Sequence, residues 1–153
     1  MMHLDEIDYK ILNILQGKGR TRRNELAEIV NLSIPSTSER LRKLEENGYI
    51  QEYFAKLDHV KLGNDITTFI FATVDSSKHY ASFIEHANNL DEIQEIHAIT
   101  GEGSHLLKVR TENTTSLEKL LSKIQAWPGV VHTKTHLVLS TSKETTKIKL
   151  QKK

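Results

Sequence analysis

Hydroxyl and basic side chains are concentrated in one short segment, residues 33–46 (SIPSTSERLRKLEE). Serine hydroxyls hydrogen-bond to base edges and phosphates, and Arg and Lys bind phosphate oxygens through their charge. At about 100° per residue, Leu41, Leu44 and Thr37 fall together on one face of a helix, so this face must point towards other helices. The opposite face and its flanks carry the polar groups. The segment therefore has the composition of a helix that binds a polyanion.

A second predicted helix and a tight corner come directly before this segment. Leu26, Ala27 and Val30 recur at helical spacing, and the three residues 31–33 that follow allow only a sharp turn. Two helices joined in this way form a helix-turn-helix, whose second helix lies in the major groove of double-stranded DNA. We therefore predict a recognition helix over residues 34–47 and double-stranded DNA as a partner.

The predicted DNA-contacting residues lie on the outward side of the recognition helix or at the start of the helix before it. Positions early in the recognition helix are candidates for base edges, and the later basic ones for phosphates. The set is Arg22, Arg23, Ser36, Ser38, Glu39, Arg40, Arg42 and Lys43. The alternative is a solvated face on which Arg and Glu pair with each other at i,i+3 and i,i+4. The surrounding helix-turn-helix spacing favours contact with DNA.

The start of the recognition helix offers two candidate caps. Ser36 with Glu39 three residues later fits a capping box, and Ser33 is the alternative cap. Pro35 is tolerated because the first helical turn has no partner for an N–H group. Gly48 is a natural left-handed stop at the other end.

Net charge alone does not indicate a nucleic-acid partner. The chain carries a formal charge of +1, and residues 1–60 hold 9 Lys and Arg against 10 Asp and Glu. Phosphate contact depends on local clustering, because salt screens charges beyond about 8–10 Å. The basic groups are clustered before the second helix and along the third, and we expect the acids of the first helix (Asp5, Glu6 and Asp8) to lie elsewhere. A weakly charged chain with one basic face predicts that several copies bind DNA together.

Metal and catalytic chemistry are not expected. The chain has eight histidines and no cysteine, so neither a disulfide nor a thiolate zinc site can form. His132 and His136 lie about 13 Å apart on a predicted strand at ~3.3 Å per residue, too far to share one ion. His79 and His86, two helical turns apart, are also a poor pair. No P-loop and no nucleophile elbow is present, so we predict that the protein is not an enzyme.

Beyond residue 48 the pattern changes from helical to mostly alternating. A first helix precedes the helix-turn-helix, with Ile7, Ile11 and Leu15 at helical spacing. The later elements are predicted as a strand at 49–57, then strand 66–74, helix 79–90, strands 93–100 and 106–111, helix 114–127 and strand 130–139. The order βαββαβ is that of a ferredoxin-like domain, so the fold class is α+β with a winged-helix-like N-terminal domain.

Three segments follow from this reading. We predict a helix-turn-helix DNA-binding domain with its connecting strand at 1–60, a ferredoxin-like dimerisation domain at 61–142, and a flexible Lys-rich tail at 143–153. Phe69 and Phe71 fall on the sheet face that two helices cannot cover, so a second subunit is expected there. The N-terminus is not a signal peptide and no apolar run approaches the roughly 20 residues of a membrane span, which predicts a cytoplasmic location.

Segments along nearly the whole chain resemble the Lrp/AsnC family of bacterial and archaeal transcription regulators. They occur in the family's order and are LDEIDYKILNILQGKGR, ELAEIVNLSIPSTSERLRKLEENGYIQEYFAKLD, KLG, AITGEGSHLLKV and WPGVVHTKT. The resemblance implies a DNA-binding N-terminal domain and a C-terminal domain that dimerises and binds an effector. It also implies dimers that assemble into octamers or other discs.

The resemblance further implies an amino-acid effector, with no other cofactor, at the contact between dimers. The loop that joins the two central strands would provide the site, and here it consists of Thr100, Gly101, Glu102, Gly103, Ser104 and His105. Glu102 stands where the family usually has Asp, and the small Gly103 and Ser104 follow. These departures leave open a different amino acid as effector, or none.

Three functions are compatible with these observations. The first is a sequence-specific transcriptional regulator whose assembly or DNA affinity responds to an amino acid. The second is a nucleoid-like architectural protein that wraps DNA and has no effector. The third is a ligand-binding module whose helix-turn-helix contacts protein.

Overall fold

The computed structural model describes residues 3–151. These residues form two compact units, each described by itself below. The N-terminal unit consists of residues 3–56 and 143–151, and the C-terminal unit of residues 57–142. The last described segment of the chain thus belongs to the N-terminal unit. In the part of the chain that the structure describes, no helix is both long enough and apolar enough to span a lipid bilayer.

Three helices form the N-terminal unit: α1 (Glu6–Leu15), α2 (Arg23–Val30) and α3 (Ile34–Glu46). They surround a core of Ile11, Leu15, Leu26, Val30, Leu41 and Leu44. Ile11 and Leu44 are fully buried, and burial of a side chain of this size contributes about 1.5–3 kcal/mol. Asp5 caps α1 by accepting hydrogen bonds from the amides of Ile7 and Asp8, both at 2.9 Å.

The corner before α3 confirms the predicted helix-turn-helix and decides between the two caps. Asn31 ends α2 in the left-handed conformation with φ 56°. Ser33 is the N-cap of α3, and its hydroxyl accepts a hydrogen bond from the amide of Ser36 at 3.3 Å. The capping box that Ser36 and Glu39 would form is therefore wrong, because the chain enters the helix three residues earlier. Thr37, Leu41 and Leu44 are buried, as their common helical face predicts.

The C-terminal unit confirms the βαββαβ order. Its elements are β1 (Ile66–Val74), a 3₁₀ turn (Ser77–His79), α4 (Tyr80–Asn88), β2 (Ile93–Ala98), β3 (His105–Thr111), α5 (Thr114–Gln125) and β4 (Val130–Leu137). The four strands form one sheet in the order β2-β3-β1-β4, and all its strand pairs are antiparallel. Phe83 of α4 and Ile124 of α5 share one core with Ile70 and Leu107 of the sheet. Both helices therefore cover the same face.

The two faces of β1 differ as predicted. Ile70 and Ala72 have no exposed surface and lie under the helices. Phe69 and Phe71 point to the opposite face and are half-buried within the described chain. Directly opposite them on β4 stand His136 and Lys134.

The strand predicted at 49–57 is wrong for this chain. Residues 51–57 have no regular secondary structure and pair with no strand among residues 3–151. An isolated strand leaves its backbone N–H and C=O groups without partners, so apolar alternation alone does not produce one. Tyr49 and Ile50 instead donate backbone hydrogen bonds to Leu44 at the end of α3.

The C-terminal tail lies against α1 over its described part. The side chain of Gln16 donates to the carbonyl of Ile148 at 3.1 Å and accepts from its amide at 3.0 Å. The hydroxyl of Tyr9 donates to the carbonyl of Gln151 at 3.1 Å. The mobility predicted for residues 143–153 remains a prediction, and its last two residues fall outside the described ones.

Candidate nucleic-acid interface and effector loop

The outward face of α3 is the candidate nucleic-acid interface. Ser36, Glu39, Arg42 and Lys43 are exposed, and Ser38 is half-buried on the flank. Arg22, the residue before α2, and Arg23, its first residue, are exposed as well. The buried residues Leu41 and Leu44 fix which side of α3 points outward. The helix thus presents hydroxyls near its start and cations further along, an order that suits base edges and then phosphates.

Arg42 and Lys43 pair with glutamates of their own helix. The guanidinium of Arg42 donates to Glu39 at 2.7 and 3.0 Å and also contacts Glu46. The ammonium of Lys43 lies 3.6 Å from Glu39. The hydrogen bond from Arg42 is the main reason that the pKa of Glu39 is lowered. Exposed pairs of this kind contribute little to stability because solvent and salt screen them, so a phosphate can replace the glutamates at small cost.

Arg40 lies on the flank of α3, as the helical spacing predicts, and pairs with two acids at the start of α1, while its role in DNA contact stays a prediction. Its guanidinium lies 2.8 Å from the carboxylate of Asp8 and 2.7 Å from that of Asp5. Asp8 is buried, with 3% of its side chain exposed. The prediction that Asp5 and Asp8 lie away from the basic groups is wrong, because both contact Arg40. Arg40 ties the recognition helix to α1, since a cation beside a buried carboxylate offsets the loss of its hydration.

The candidate effector loop between β2 and β3 is held closely against β1. The amide of Ser104 donates to the carbonyl of Ala72 at 2.9 Å, and the amide of Val74 donates to the Ser104 hydroxyl at 3.1 Å. Gly103 has φ 87°, and a Cβ there would lie 2.9 Å from the carbonyl oxygen of Ala72. A side chain at Gly103 would therefore displace the loop. The small residues that follow Glu102 allow this close approach.

His105 is not part of the exposed surface of this loop, in contrast to the sequence prediction. The side chain is 1% exposed and lies on the helix-covered face of the sheet. Its ring contacts those of Tyr80 and Phe83, both at a centroid distance of 4.7 Å, and its Nδ1 lies 2.9 Å from the hydroxyl of Ser104. Burial lowers the pKa of His105, because the charged ring would lose its hydration. His105 is a core residue in this chain.

The exposed part of the loop carries one ion pair that the sequence analysis did not identify. Glu102 accepts a hydrogen bond from Lys134 of β4 at 2.8 Å, which lowers the pKa of the Glu102 carboxyl. Thr100, Gly101 and Glu102 are exposed, whereas Gly103 and Ser104 are half-buried. The partners are 32 residues apart, so no local spacing could have paired them. The loop thus presents a carboxylate and an ammonium group side by side.

Metal ligation has no candidate in the described part of the chain. Among residues 3–151, no group of three or more His, Asp or Glu side chains is placed to hold an ion. His132 and His136 lie opposite Thr73 and Phe69 on the open face of the sheet. His136 contacts the edge of the Phe71 ring at a centroid distance of 5.4 Å.

A helix-turn-helix unit combined with a ferredoxin-like unit defines a class of DNA-binding regulators that carry a ligand-binding domain. Residues 4–51 match the winged helix-turn-helix DNA-binding family, and residues 67–148 match the Lrp/AsnC ligand binding domain. The chain belongs to the Lrp/AsnC family, as its sequence resemblance indicates. It is therefore a DNA-binding transcriptional regulator and not an enzyme.

Named relatives support this assignment over almost the full length of the chain. The HTH-type transcriptional regulator FL11 of Pyrococcus horikoshii is 37% identical, and the match covers 97% of both chains. The leucine-responsive regulatory protein of Escherichia coli is 35% identical, with 95% of this chain and 90% of the relative covered. A transcriptional regulator of Neisseria meningitidis, solved in complex with L-Met, has a TM-score of 0.91 at 28% identity. That match covers 95% of this chain and 96% of the solved one.

Proposed function

We propose that this regulator binds specific DNA sequences through α3 and that an amino acid bound near residues 100–104 changes its assembly or its DNA affinity. The observation that carries the proposal is the division of α3 into two faces. Thr37, Leu41 and Leu44 fix one face in the core, while Ser36, Arg42 and Lys43 are exposed on the other. A helix held in this way can enter the major groove without any change in the domain that carries it.

The open side of the sheet supports a homo-oligomer as the active form. Phe69, Phe71 and Leu106 lie there, on the face that neither α4 nor α5 covers. Six large apolar side chains of the connecting segment 49–62 are also more than one-third exposed: Tyr49, Tyr53, Phe54, Leu57, Val60 and Leu62. A second copy would cover the sheet face and could pair with the backbone of residues 51–57, which belong to no strand of the described chain. We propose a dimer as the building block, and the family resemblance favours its assembly into an octamer.

The Glu102–Lys134 pair supports an amino acid as the effector. A free amino acid carries one ammonium and one carboxylate group, and these match the carboxylate and ammonium that this pair presents. The hydrogen bond from Lys134 lowers the pKa of the Glu102 carboxyl and so favours its charged form. Two relatives are named for such ligands, L-Met in the solved structure from Neisseria meningitidis and leucine in the regulator from Escherichia coli.

A single set of measurements tests both parts of the proposal. DNA binding is measured at two salt concentrations, with and without each of a panel of amino acids, and light scattering gives the molar mass in each condition. Replacement of Arg42 and Lys43 by Ala should weaken binding to all sequences and reduce its salt dependence. Ser36→Ala should instead reduce the preference for one sequence over others. The charge-matched control is the double replacement of Lys119 and Lys123, exposed lysines of α5, by Ala.

The effector part has its own variant and its own contrary outcome. Glu102→Gln should remove the response to the active amino acid and leave basal DNA binding intact, whereas Glu118→Gln on the exposed side of α5 should retain it. If no amino acid changes the mass or the affinity of a protein that binds DNA with steep salt dependence, the architectural alternative is correct. Unchanged DNA binding in the variant at Arg42 and Lys43 would show that the face assignment is wrong.

A further inference from the structure

The charge of the DNA-binding unit depends on the segment that returns to it from the end of the chain. Residues 1–56 contain 9 Lys and Arg and 9 Asp and Glu, so this part has no net charge. Residues 57–142 contain 7 basic and 10 acidic residues, a formal charge of −3. Residues 143–153 contain five lysines and one glutamate, a formal charge of +4. The positive charge of this DNA-binding protein is thus concentrated in its last 11 residues.

Specific contacts place this segment on the DNA-binding unit. Lys56 donates to the backbone carbonyl of Glu144 at 3.1 Å and lies 3.0 Å from its carboxylate. The Gln16 side chain makes the two backbone hydrogen bonds to Ile148. Tyr9 then holds the carbonyl of Gln151, so the tail runs from the end of α1 towards its start. All these contacts use the tail backbone or Glu144 and leave the lysine side chains available.

In the described part of this segment, residues 143–151, the exposed lysines are Lys143, Lys147 and Lys149. They are attached to α1, the helix whose first turn is tied to α3 through Asp5, Asp8 and Arg40. A docked tail keeps its charges at a fixed place on the unit that carries the recognition helix, whereas a free tail would distribute them through a large volume. At physiological salt, opposite charges attract each other appreciably only within about 8–10 Å. The place at which the tail is attached therefore decides whether these lysines can bind DNA phosphates.

We propose that the docked C-terminal tail is a second DNA-contacting surface, in which Lys143, Lys147 and Lys149 bind backbone phosphates beside the groove that α3 enters. This inference rests on the proposed DNA-binding function of α3. The tail supplies affinity without sequence preference, because phosphates have the same charge in every sequence. Gln16 positions the tail through its two backbone hydrogen bonds.

The test is the salt dependence of binding to a duplex of unrelated sequence, measured with the full chain. Replacement of all three tail lysines by Gln should make the fall of the logarithm of the association constant with log salt less steep. The slope should lose about 2–3 in magnitude, since each phosphate contact contributes about 0.9. The matched control replaces Lys61, Lys78 and Lys119, three exposed lysines of the C-terminal unit, by Gln. The control has the same net charge and should keep the wild-type slope.

A second variant separates position from charge. Gln16→Leu keeps all five tail lysines but removes both hydrogen bonds to Ile148, so it should also weaken binding to the unrelated duplex. Equal slopes for the wild type and the tail variant would overturn this inference and leave the function of α3 intact. A wild-type protein that binds no DNA would instead overturn the proposed function itself. If the salt dependence falls as much in the control as in the tail variant, net charge alone determines binding. This result would contradict the proposal that the docked tail contacts DNA.

Discussion

The two units of this protein differ in how complete each one is within a single chain. The N-terminal unit surrounds its core with three helices, and its candidate DNA-contacting residues lie on the outside of α3. The C-terminal unit encloses only one face of its sheet and leaves Phe69, Phe71 and Leu106 on the other. One copy can therefore form the DNA-reading surface. We infer that a second copy is needed to complete the part that assembles and responds to a ligand.

This difference separates two kinds of variant. Changes within α1, α2 and α3 should act on stability or on DNA affinity in each copy alone. Changes on the open face of the sheet should act first on the number of copies, and on DNA affinity only as a consequence.

The largest effect is expected from Phe71→Asp on the open face. A charge at this position would lose its hydration in the proposed dimer, and Lys134, the cation opposite it, is already paired with Glu102. The dissociation constant should therefore rise at least ~1,000-fold, the loss seen at the stronger interface hot spots. Light scattering over a range of concentrations measures the change. The control is Ser122→Asp, which adds the same charge to the exposed side of α5. An unchanged mass for Phe71→Asp would show that this face is not the interface.

The second prediction compares Arg40 and Arg42, two residues apart on α3. Arg40→Ala should lower the free energy of unfolding of the N-terminal unit by about 3 kcal/mol, because it leaves the buried Asp8 carboxylate without its cation. Arg42→Ala removes only exposed ion pairs, which solvent screens, and should change the free energy of unfolding far less than Arg40→Ala does. Hydrogen exchange of α1 and α3 measures both changes. Equal protection in the two variants would contradict the pairing of Arg40 with Asp8.

The smallest effect is a pH dependence specific to the C-terminal unit. Burial lowers the pKa of His105 in the folded state, so the unfolded chain binds its proton more readily. The stability that neutral His105 contributes is complete above the unfolded pKa of about 6.5 and is lost as the pH falls below it, by up to about 1.4 kcal/mol per unit. Trp127, which is in the same core, reports unfolding by fluorescence.

A pair of histidine variants isolates this contribution. His105→Leu should flatten the fall in stability between pH 6.5 and 5, whereas His132→Leu, at an exposed position, should not. If both variants show the wild-type pH dependence, a different group causes the loss of stability in acid.

Local patterns predicted most of the fold, because each helix and each paired strand carries its own periodicity. The repeat of Leu41 and Leu44 sets the orientation of α3, and the alternation in β1 separates Ile70 from Phe71. The segment at 49–57 shows the limit of this reasoning. Its composition favours a strand, but a strand depends on a partner that local sequence does not specify.

Contacts between distant residues account for what the sequence did not predict at the candidate sites. Helical spacing places Arg42 on the outward face of α3 and Arg40 on its flank, but it does not predict that Arg40 pairs with Asp8, 32 residues earlier. The pairing of Glu102 with Lys134 depends on the position of β4 next to β1, and the burial of His105 on α4 above it. Docking of the tail on Gln16 brings together residues 132 positions apart.

The return of the tail to α1 also has a consequence for biosynthesis. A ribosome exposes residues 1–56 first, and at typical elongation rates the tail follows on the order of ten seconds later. During this interval α1, α2 and α3 can fold, but the nascent unit lacks the positive charge of the last 11 residues. The chain would therefore acquire this attraction for DNA only once residues 143–153 have been synthesised. A growing polypeptide would therefore bind nearby chromosomal DNA only weakly while it is still attached to the ribosome.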